Sequence, residues 1–519
     1  MKRTAVLLAA LIMLAGCSSQ GSSSVSETVS DTGTTTTAAV TAAPETTTTE
    51  AVTTSAPEIV RPPVDADPAP LEQQENLLLP EFEAVREQYE SGLEDLTRRL
   101  ERRTGSKQLP CISIYTQDQQ TILSKDEYVA SVIDVFNCDE QYKLNASAGV
   151  KVRGNSTADQ GDEKPYRIKF EEKQGMLGLH GGKKYRSWVL LRSYWNFAPD
   201  YMGFSLAEAI FDGKYYSSDK TYVDLFINGS SKGVYLLCEQ NQAVDGRVEV
   251  YEPSEEETQA EIGYFIEMDN YPSEEHPYFY LDHFNNEEIT DISGVTKKFV
   301  SHAYSIKSRI NTVGQFDFIK NYLEGVFTIL YEGAEKGNAM MFDEDWKVVP
   351  ADGVYSTPYE AVSTVIDTES LADMLILEEL VQNYDVGAGS FYMAVDFSEE
   401  SKFPKLTFLA PWDFNWAYSE KVNGGYYAST FQKLMDEWDR SNVWFITAMK
   451  SEDFREAVKE RFRTLYDSGV LYSTTAQVLK DCAQAGKDLP SSESWKADQV
   501  KNIVSFVNGR IEWLKGQWY

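Results

Sequence analysis

The first half of the sequence carries short segments in which apolar residues alternate with polar ones or form brief runs. A side-chain period of two is typical of β-strands, because successive side chains point to opposite faces. Asn228-Gly229 predicts a tight turn between two of these segments. One helix, at residues 202–211, interrupts what we predict to be a mostly antiparallel sheet. The predicted strands are residues 111–116, 128–136, 148–154, 165–170, 187–192, 222–229, 233–239 and 262–269.

After about residue 312 the apolar residues lie three or four positions apart, which predicts helices. A short hairpin interrupts them, at residues 390–396 and 405–414; its second strand carries Asp413, and Asp385 lies just before its first strand. The pattern predicts an α+β fold with two lobes, a sheet-rich one at about 107–300 and a helical one at about 301–519. The predicted helices are residues 316–332, 370–384, 443–469 and 499–519.

The N-terminus has the pattern of a secretion signal. Lys2 and Arg3 precede a short apolar run, which ends in Leu-Ala-Gly followed by Cys17. The run is too short to span a bilayer, so residues 1–16 are predicted to be a signal peptide. The cysteine after Leu-Ala-Gly resembles the bacterial lipoprotein site, where Cys17 is diacylated and anchors the protein outside the cytoplasmic membrane. An ordinary cleaved signal is the alternative.

Residues 17–70 are rich in Ser, Thr, Ala and Pro and have almost no aromatic side chains. Such a segment buries too little apolar area to offset the entropy of folding, so we predict a disordered tether. Residues 71–106 follow as an N-terminal helical segment. Apolar residues spaced three or four apart place its helix at about 80–103.

Composition excludes several classes of function. The formal net charge of −33 disfavours nucleic acid and anionic lipid as partners. The four histidines, at positions 180, 276, 283 and 302, lack zinc-like spacing, which disfavours zinc chemistry and a Ser-His-Asp hydrolase. Cys111 and Cys138 can form a bridge, but buried free thiols are the expected state.

Two aspartates stand beside apolar runs, Asp385 in Gln-Asn-Tyr-Asp and Asp413 in Pro-Trp-Asp-Phe-Asn. Burying a carboxylate costs several kcal/mol unless a partner or metal offsets it. In kinases one carboxylate takes the proton of the substrate and another holds the magnesium that bridges the ATP phosphates. The alternative is that both aspartates cap a structural core.

Five motifs in order carry a resemblance to a known family. They are Val152–Thr157 with Lys164–Phe170, Asp224–Gly229 with Gly233–Glu239, Gly263–Asp269, the Asp385 motif and Pro411–Phe414. Together they resemble the CotH kinase family, the spore-coat kinases, over roughly residues 107–519. The resemblance implies an atypical protein-kinase-like fold. It also implies transfer of phosphate from ATP to protein serines or threonines with Mg²⁺ or Mn²⁺.

The resemblance implies roles for individual residues. Asp385 would be the catalytic base and Asp413 a metal ligand. Asn415 stands where the family usually has a second aspartate, and Ser390 where it often has a metal-binding asparagine. The candidates for contacts to the nucleotide are Arg153, Lys169, Glu239 and Glu267, the last two by orienting the lysine or by binding metal.

Two other functions remain open at this point. A pseudokinase or scaffold is suggested by Asn415, Ser390 and the scarcity of ATP outside cells. A carbohydrate-binding or carbohydrate-active surface protein is suggested by 30 tyrosines and 10 tryptophans. Trp412, Phe414 and Trp416 are predicted to be core residues around the site. The preferred hypothesis is a lipid-anchored kinase-like protein that uses ATP and acts on an unidentified protein acceptor.

Overall fold

Seven strands of the first half close into a barrel in the computed structural model. The structure describes residues 64, 66–71 and 78–519 apart from 155, 160, 162–163, 193–196, 270–271, 273–275, 282–286, 300–301, 388, 419–424 and 432–440. They are β1 (Cys111–Thr116), β2 (Val129–Phe136), β3 (Leu144–Val152), β4 (Tyr166–Gln174), β5 (Tyr185–Leu191), β6 (Lys220–Ile227) and β7 (Ser230–Glu239). Their order is β1-β2-β3-β4-β5-β7-β6, and β6 closes the barrel by pairing parallel to β1. The predicted antiparallel sheet is therefore closed on itself, around an interior of Ile, Val and Leu side chains.

Two helices pack against the outside of this barrel. Helix α1 (Glu83–Thr104) buries residues that follow the predicted helical spacing, whereas Leu93 on the same helix is 41% exposed. Helix α2 (Pro199–Phe211) begins with proline at its first turn, where the missing N–H is not needed. Asn228 and Gly229 both have positive φ and form the two-residue loop between β6 and β7, as predicted.

The eighth predicted strand does not join the barrel. It is β8 (Gly263–Asp269), the centre of a second sheet with the order β16-β15-β8-β12-β9. The predicted hairpin supplies β15 and β16, so it extends this sheet instead of standing alone among helices. The remaining strands are β9 (Tyr278–Tyr280), β10 (Glu288–Thr290), β11 (Thr296–Lys298), β12 (Ala303–Ile306), β13 (Met340–Phe342), β14 (Val348–Pro350), β15 (Phe391–Asp396) and β16 (Thr407–Leu409).

Helices dominate the second half and cover one face of the second sheet. Trp444 shows this packing, because its ring meets Phe327 of a helix at 5.0 Å and Phe408 of β16 at 5.5 Å. A sheet-rich first half and a helical second half confirm the predicted α+β class. The helices are α3 (Val313–Tyr331), α4 (Pro358–Val365), α5 (Thr368–Val381), α6 (Val443–Ala448), α7 (Glu452–Asp467), α8 (Val470–Ala485) and α9 (Trp495–Trp518).

The predicted signal peptide, Cys17 and most of the predicted tether lie outside the described residues. The last residues of that tether contact the start of α3: Val313 donates to the carbonyl of Ala69 at 2.9 Å, and Gly314 to that of Asp67 at 3.0 Å. Cys111, Cys138, Cys238 and Cys482 are free thiols. No helix in the described part of the chain is long and apolar enough to cross a membrane.

Candidate functional site

One buried side chain, that of Asn383, joins the two acidic motifs. Its Oδ1 accepts the backbone N–H of Asp385 at 3.2 Å, and its Nδ2 donates to the backbone carbonyl of Asp413 at 3.2 Å. Asn383 is 1% exposed, so water does not readily replace either bond. The backbones of Asp385 and Asp413 therefore lie within one side chain of each other, just beyond the C-terminal end of α5.

Asp413 lies in a turn beyond the hairpin, and not within its second strand as predicted, because β16 ends at Leu409. Its backbone is left-handed, with φ 60° and ψ 68°. For a residue other than glycine this conformation costs roughly 1–2 kcal/mol, so the surrounding contacts must hold it. The side-chain amide of Asn415 donates to Asp413 Oδ1. Strain of this kind concentrates at functional sites.

Arg153 is the cation that faces Asp413. Its guanidinium lies 5.2 Å from the ring centre of Trp412, the residue before Asp413. Burial raises the pKa of Asp413, whereas the charge of Arg153 and the hydrogen bond from Asn415 oppose that rise. Arg153 follows the end of β3, and its backbone N–H donates to the carbonyl of Pro165 at 3.1 Å. The barrel thus supplies a basic group to an acidic turn that belongs to the second half.

A second carboxylate, Asp200 in the first turn of α2, lies beside the same turn. Its Oδ1 accepts the backbone N–H of Phe414 at 3.0 Å. Burial and the charge of Asp413 raise the pKa of Asp200 to about 7, against the opposing effect of Arg153. Asp200, Asp413 and Arg153 therefore form one electrostatically coupled group drawn from three distant segments.

A third acidic group lies on the second sheet. Lys307 Nζ is 2.8 Å from Glu267 Oε2 and 3.5 Å from Asp269 Oδ2. Burial alone would lower the pKa of Lys307, but the two carboxylates raise it, so this lysine stays charged. Burial raises the pKa of Glu267, and Lys307 and a hydrogen bond with Tyr392 lower it. The charge of Arg153 also lowers the pKa of Tyr392, so Arg153 acts on a residue of this group as well as on Asp413.

Ser390 lies at the same end of the second sheet. It directly precedes β15 and has a left-handed φ of 54°. The pairing of β15 with β8 begins at Phe391 opposite Met268, so Ser390 precedes the sheet at the end where β8 finishes in Asp269. Ser390 therefore lies near the end of β8 that carries Glu267 and Asp269. The strand that follows it, β15, runs away from the Asp385 turn.

Lys169 and Glu239, two of the residues predicted to contact the nucleotide, lie on strands of the barrel. Lys169 lies on β4 with its ammonium 5.8 Å from the ring centre of Tyr128. Glu239 is fully buried at the end of β7, where its oxygens bind Arg247 at 3.0 Å and His180 at 3.1 Å. The hypothesis that Glu239 or Glu267 orients Lys169 or binds metal stays a prediction. The described ion pairs of the two glutamates are Glu239 with Arg247 and Glu267 with Lys307.

The aromatic residues around Asp413 differ in exposure. Trp412 is 5% exposed and Phe414 is fully buried, as expected for core residues. Trp416, also predicted to be core, is 55% exposed. It follows the left-handed turn at Asp413, which directs the chain outward after Phe414 has inserted between α2 and the core.

Comparison with protein-family models identifies one family. The model described as CotH kinase protein matches residues 150–324 and 351–514, which is more than half of the chain. The chain belongs to the CotH kinase family. No curated protein matches it. The matched ranges of this CotH-family protein contain Arg153, Asp200, Lys307, Asp385 and Asp413, so every charged group described above lies within the family domain.

The CotH family implies a divalent metal ion, and the oxygen donors near Asp413 fit one particular mode of binding. In the described part of the chain, no group of three or more His, Cys, Asp or Glu side chains is placed to hold a metal ion. Mg²⁺ commonly keeps several waters and is held by one or two carboxylates together with substrate phosphates. The single carboxylate of Asp413, with the amide of Asn415 rotated to present its oxygen, fits that mode.

Three functional candidates of this CotH domain were not found from the sequence. Asn383 stands inside the Asp385 motif, but nothing in the sequence indicates a role for its side-chain amide. Lys307 follows an ordinary apolar strand, and Asp200 looks like a first-turn helix residue. For Lys307 and Asp200 the only signal in the sequence is an ionisable residue next to apolar ones, which many structural ion pairs share.

Proposed function

We propose that this CotH-family protein transfers the γ-phosphate of ATP to serine or threonine hydroxyls of a protein acceptor, with Mg²⁺ or Mn²⁺, at the outer face of the bacterial cytoplasmic membrane. The observation that carries the proposal is the carboxamide of Asn383, which joins Asp385 to Asp413 while Arg153 faces the latter. Phosphoryl transfer needs a base, a metal-binding carboxylate and a cation in one place.

In the proposed reaction the acceptor oxygen bonds to the γ-phosphorus, and the bond from that phosphorus to the β,γ-bridging oxygen breaks. ADP leaves, and Asp385 takes the proton of the hydroxyl. Asp385 is partly exposed, as a group that meets a protein acceptor must be. Asp413, together with Asn415, would hold the divalent ion, which would supply neutralisation of the phosphate charge.

The net charge of −33 repels a triphosphate, so local cations must bind its phosphates. Arg153 is the first candidate because its charge already acts on Asp413. Lys307 is the second, since protein kinases use a lysine–glutamate pair to place a lysine on the phosphates, and Lys307 is paired with Glu267. Lys169 and Glu239 remain proposed contacts from the barrel side.

The proposed location depends on Cys17. Two acyl chains on this residue are sufficient for stable anchoring, and residues 17–70 would space the domain from the membrane. Neither nucleic acid nor an anionic lipid surface is a proposed partner of so acidic a chain.

The test is incorporation of label from γ-labelled ATP into an added serine-rich acceptor protein, with magnesium or manganese. We expect incorporation by the wild type and loss of at least about 100-fold in Asp385→Asn, which keeps the shape but cannot accept the proton. Asp413→Asn should lose nucleotide affinity as well as transfer. Asp481→Asn is the matched control, because Asp481 is a carboxylate of α8 whose hydrogen bond from Tyr201 involves none of the proposed site residues.

The variants also separate a kinase from a pseudokinase. If the wild type binds magnesium–ATP but no acceptor is labelled, and Asp385→Asn behaves identically, the protein is a nucleotide-binding scaffold. If the wild type does not bind magnesium–ATP at all, the proposed function is wrong.

A further inference from the structure

The first two turns of α2 contact the Asp413 turn and the residues after it at three points. Asp200 Oδ1 accepts the N–H of Phe414 at 3.0 Å. The hydroxyl of Tyr418 donates to the carbonyl of Pro199 at 3.1 Å. The ring of Phe414 lies where a Cβ on Gly203 would be, because that atom would approach the ring to 2.3 Å. These contacts link residues more than two hundred positions apart in the sequence.

The contacts fix the orientation of one peptide unit. The peptide between Asp413 and Phe414 has its carbonyl bound by Asn383 Nδ2 at 3.2 Å and its N–H bound by Asp200 at 3.0 Å. With both ends of the peptide held, the ψ angle of Asp413 is fixed at the left-handed value of 68°. Since the side chain leaves the same Cα, its direction depends on this peptide.

We propose that Asp200 is a positioning residue for the phosphoryl transfer: it holds the peptide that follows Asp413 and thereby aims the Asp413 carboxylate. This inference rests on the proposed function and deepens it. Asp200 acts through the backbone of Phe414, so its hydrogen-bond acceptor matters and its negative charge does not. The substitution Asp200→Asn would retain the acceptor oxygen and lose the charge, whereas Asp200→Ala would lose both.

The test compares Asp200→Ala and Asp200→Asn in the full chain. Magnesium–ATP affinity is measured by calorimetry, and hydrogen exchange is followed by mass spectrometry in the peptide that contains Phe414. We expect Asp200→Ala to weaken affinity roughly tenfold, the effect of leaving one buried backbone N–H without its acceptor, and to speed exchange of the Phe414 amide. Asp200→Asn should stay within about threefold of wild type in both measurements. Asp481→Ala is the control, since it removes a 3.0 Å hydrogen bond from Tyr201, the next residue of α2.

Three results would overturn the inference. Equal losses in both Asp200 variants would mean that its charge acts directly, as a metal ligand does. Wild-type affinity in Asp200→Ala would mean that the hydrogen bond from Phe414 to Asp200 does not contribute to nucleotide binding. Absence of magnesium–ATP binding by the wild type would remove the proposed function, and this inference with it. If Asp200→Ala does not fold, Asp200→Leu, which also lacks the acceptor but fills the same space, takes its place, and wild-type affinity in that variant would overturn the inference.

Discussion

Replacing Asn383 with alanine tests whether the two acidic motifs work as a unit. The change removes two hydrogen bonds of 3.2 Å, one to the N–H of Asp385 and one to the carbonyl of Asp413. Each such bond contributes about 0.5–1.5 kcal/mol net, so roughly 1–3 kcal/mol is lost in the arrangement of the two turns. At about 1.4 kcal/mol for each factor of ten, a loss of this size lowers catalytic efficiency by about 5- to 150-fold if it is expressed fully at the site.

The assay measures magnesium–ATP affinity and phosphate transfer to an acceptor, with thermal unfolding recorded for each variant. Asn311→Ala is the matched control, because Asn311 Nδ2 also bonds to backbone carbonyls, those of Ser254 at 2.6 Å and Glu257 at 3.0 Å, near the start of α3. Both variants should lose comparable stability, but only Asn383→Ala should lose affinity and transfer. Full affinity and transfer in Asn383→Ala would refute the idea that its amide couples the motifs.

Three further predictions concern buried charge and anchoring. Burial raises the pKa of Glu378 well above its usual value of 4.5, so the folded state holds a proton that the unfolded chain releases. The stability of the wild type relative to Glu378→Gln should therefore fall by up to about 1.4 kcal/mol per pH unit as the pH rises above the usual value of 4.5, measured by denaturant unfolding. A difference that does not change with pH would contradict this prediction. Lys307→Met should destabilise the fold by about 3 kcal/mol by leaving buried carboxylates without their cation, and adding Glu267→Gln should recover part of that loss in a double-mutant cycle. Cys17→Ser should move the protein from the membrane fraction to the soluble fraction of cells, and retention in the membrane would refute lipid anchoring.

Much of the fold follows from local pattern. All seven strands of the barrel lie on segments whose apolar spacing predicts strands, because a half-buried strand must alternate its side chains. Helices α1, α3, α5, α7 and α9 likewise lie on segments with helical spacing. Closure of the barrel was not predictable in this way, because it depends on β6 returning to β1, which no local pattern encodes. The membership of β8 in the second sheet was missed for the same reason.

The site residues also fall into those that local motifs indicate and those that only tertiary contacts reveal. Asp385, Asp413 and Arg153 stand in motifs whose residues are adjacent in sequence, so the motifs alone are enough to propose them as candidates. Glu267 also stands in a motif, but its partner was not found, because Lys307 reaches it only through the pairing of β12 with β8. Trp416 was expected to be buried because its neighbours are. The structure leaves Trp416 55% exposed, three residues after the left-handed Asp413, a backbone turn that local pattern does not predict.

By itself, the sequence determined the α+β class, the family motifs and the two aspartates, since each depends on residues within a short window. Only the tertiary structure decided which charges meet: Asp200 with the Asp413 turn, Lys307 with Glu267, and Arg247 with Glu239. A salt bridge or a shared peptide hydrogen bond acts over about 3 Å, and the chain folding that creates such a distance is specified by the whole core, not by the residues that form the contact.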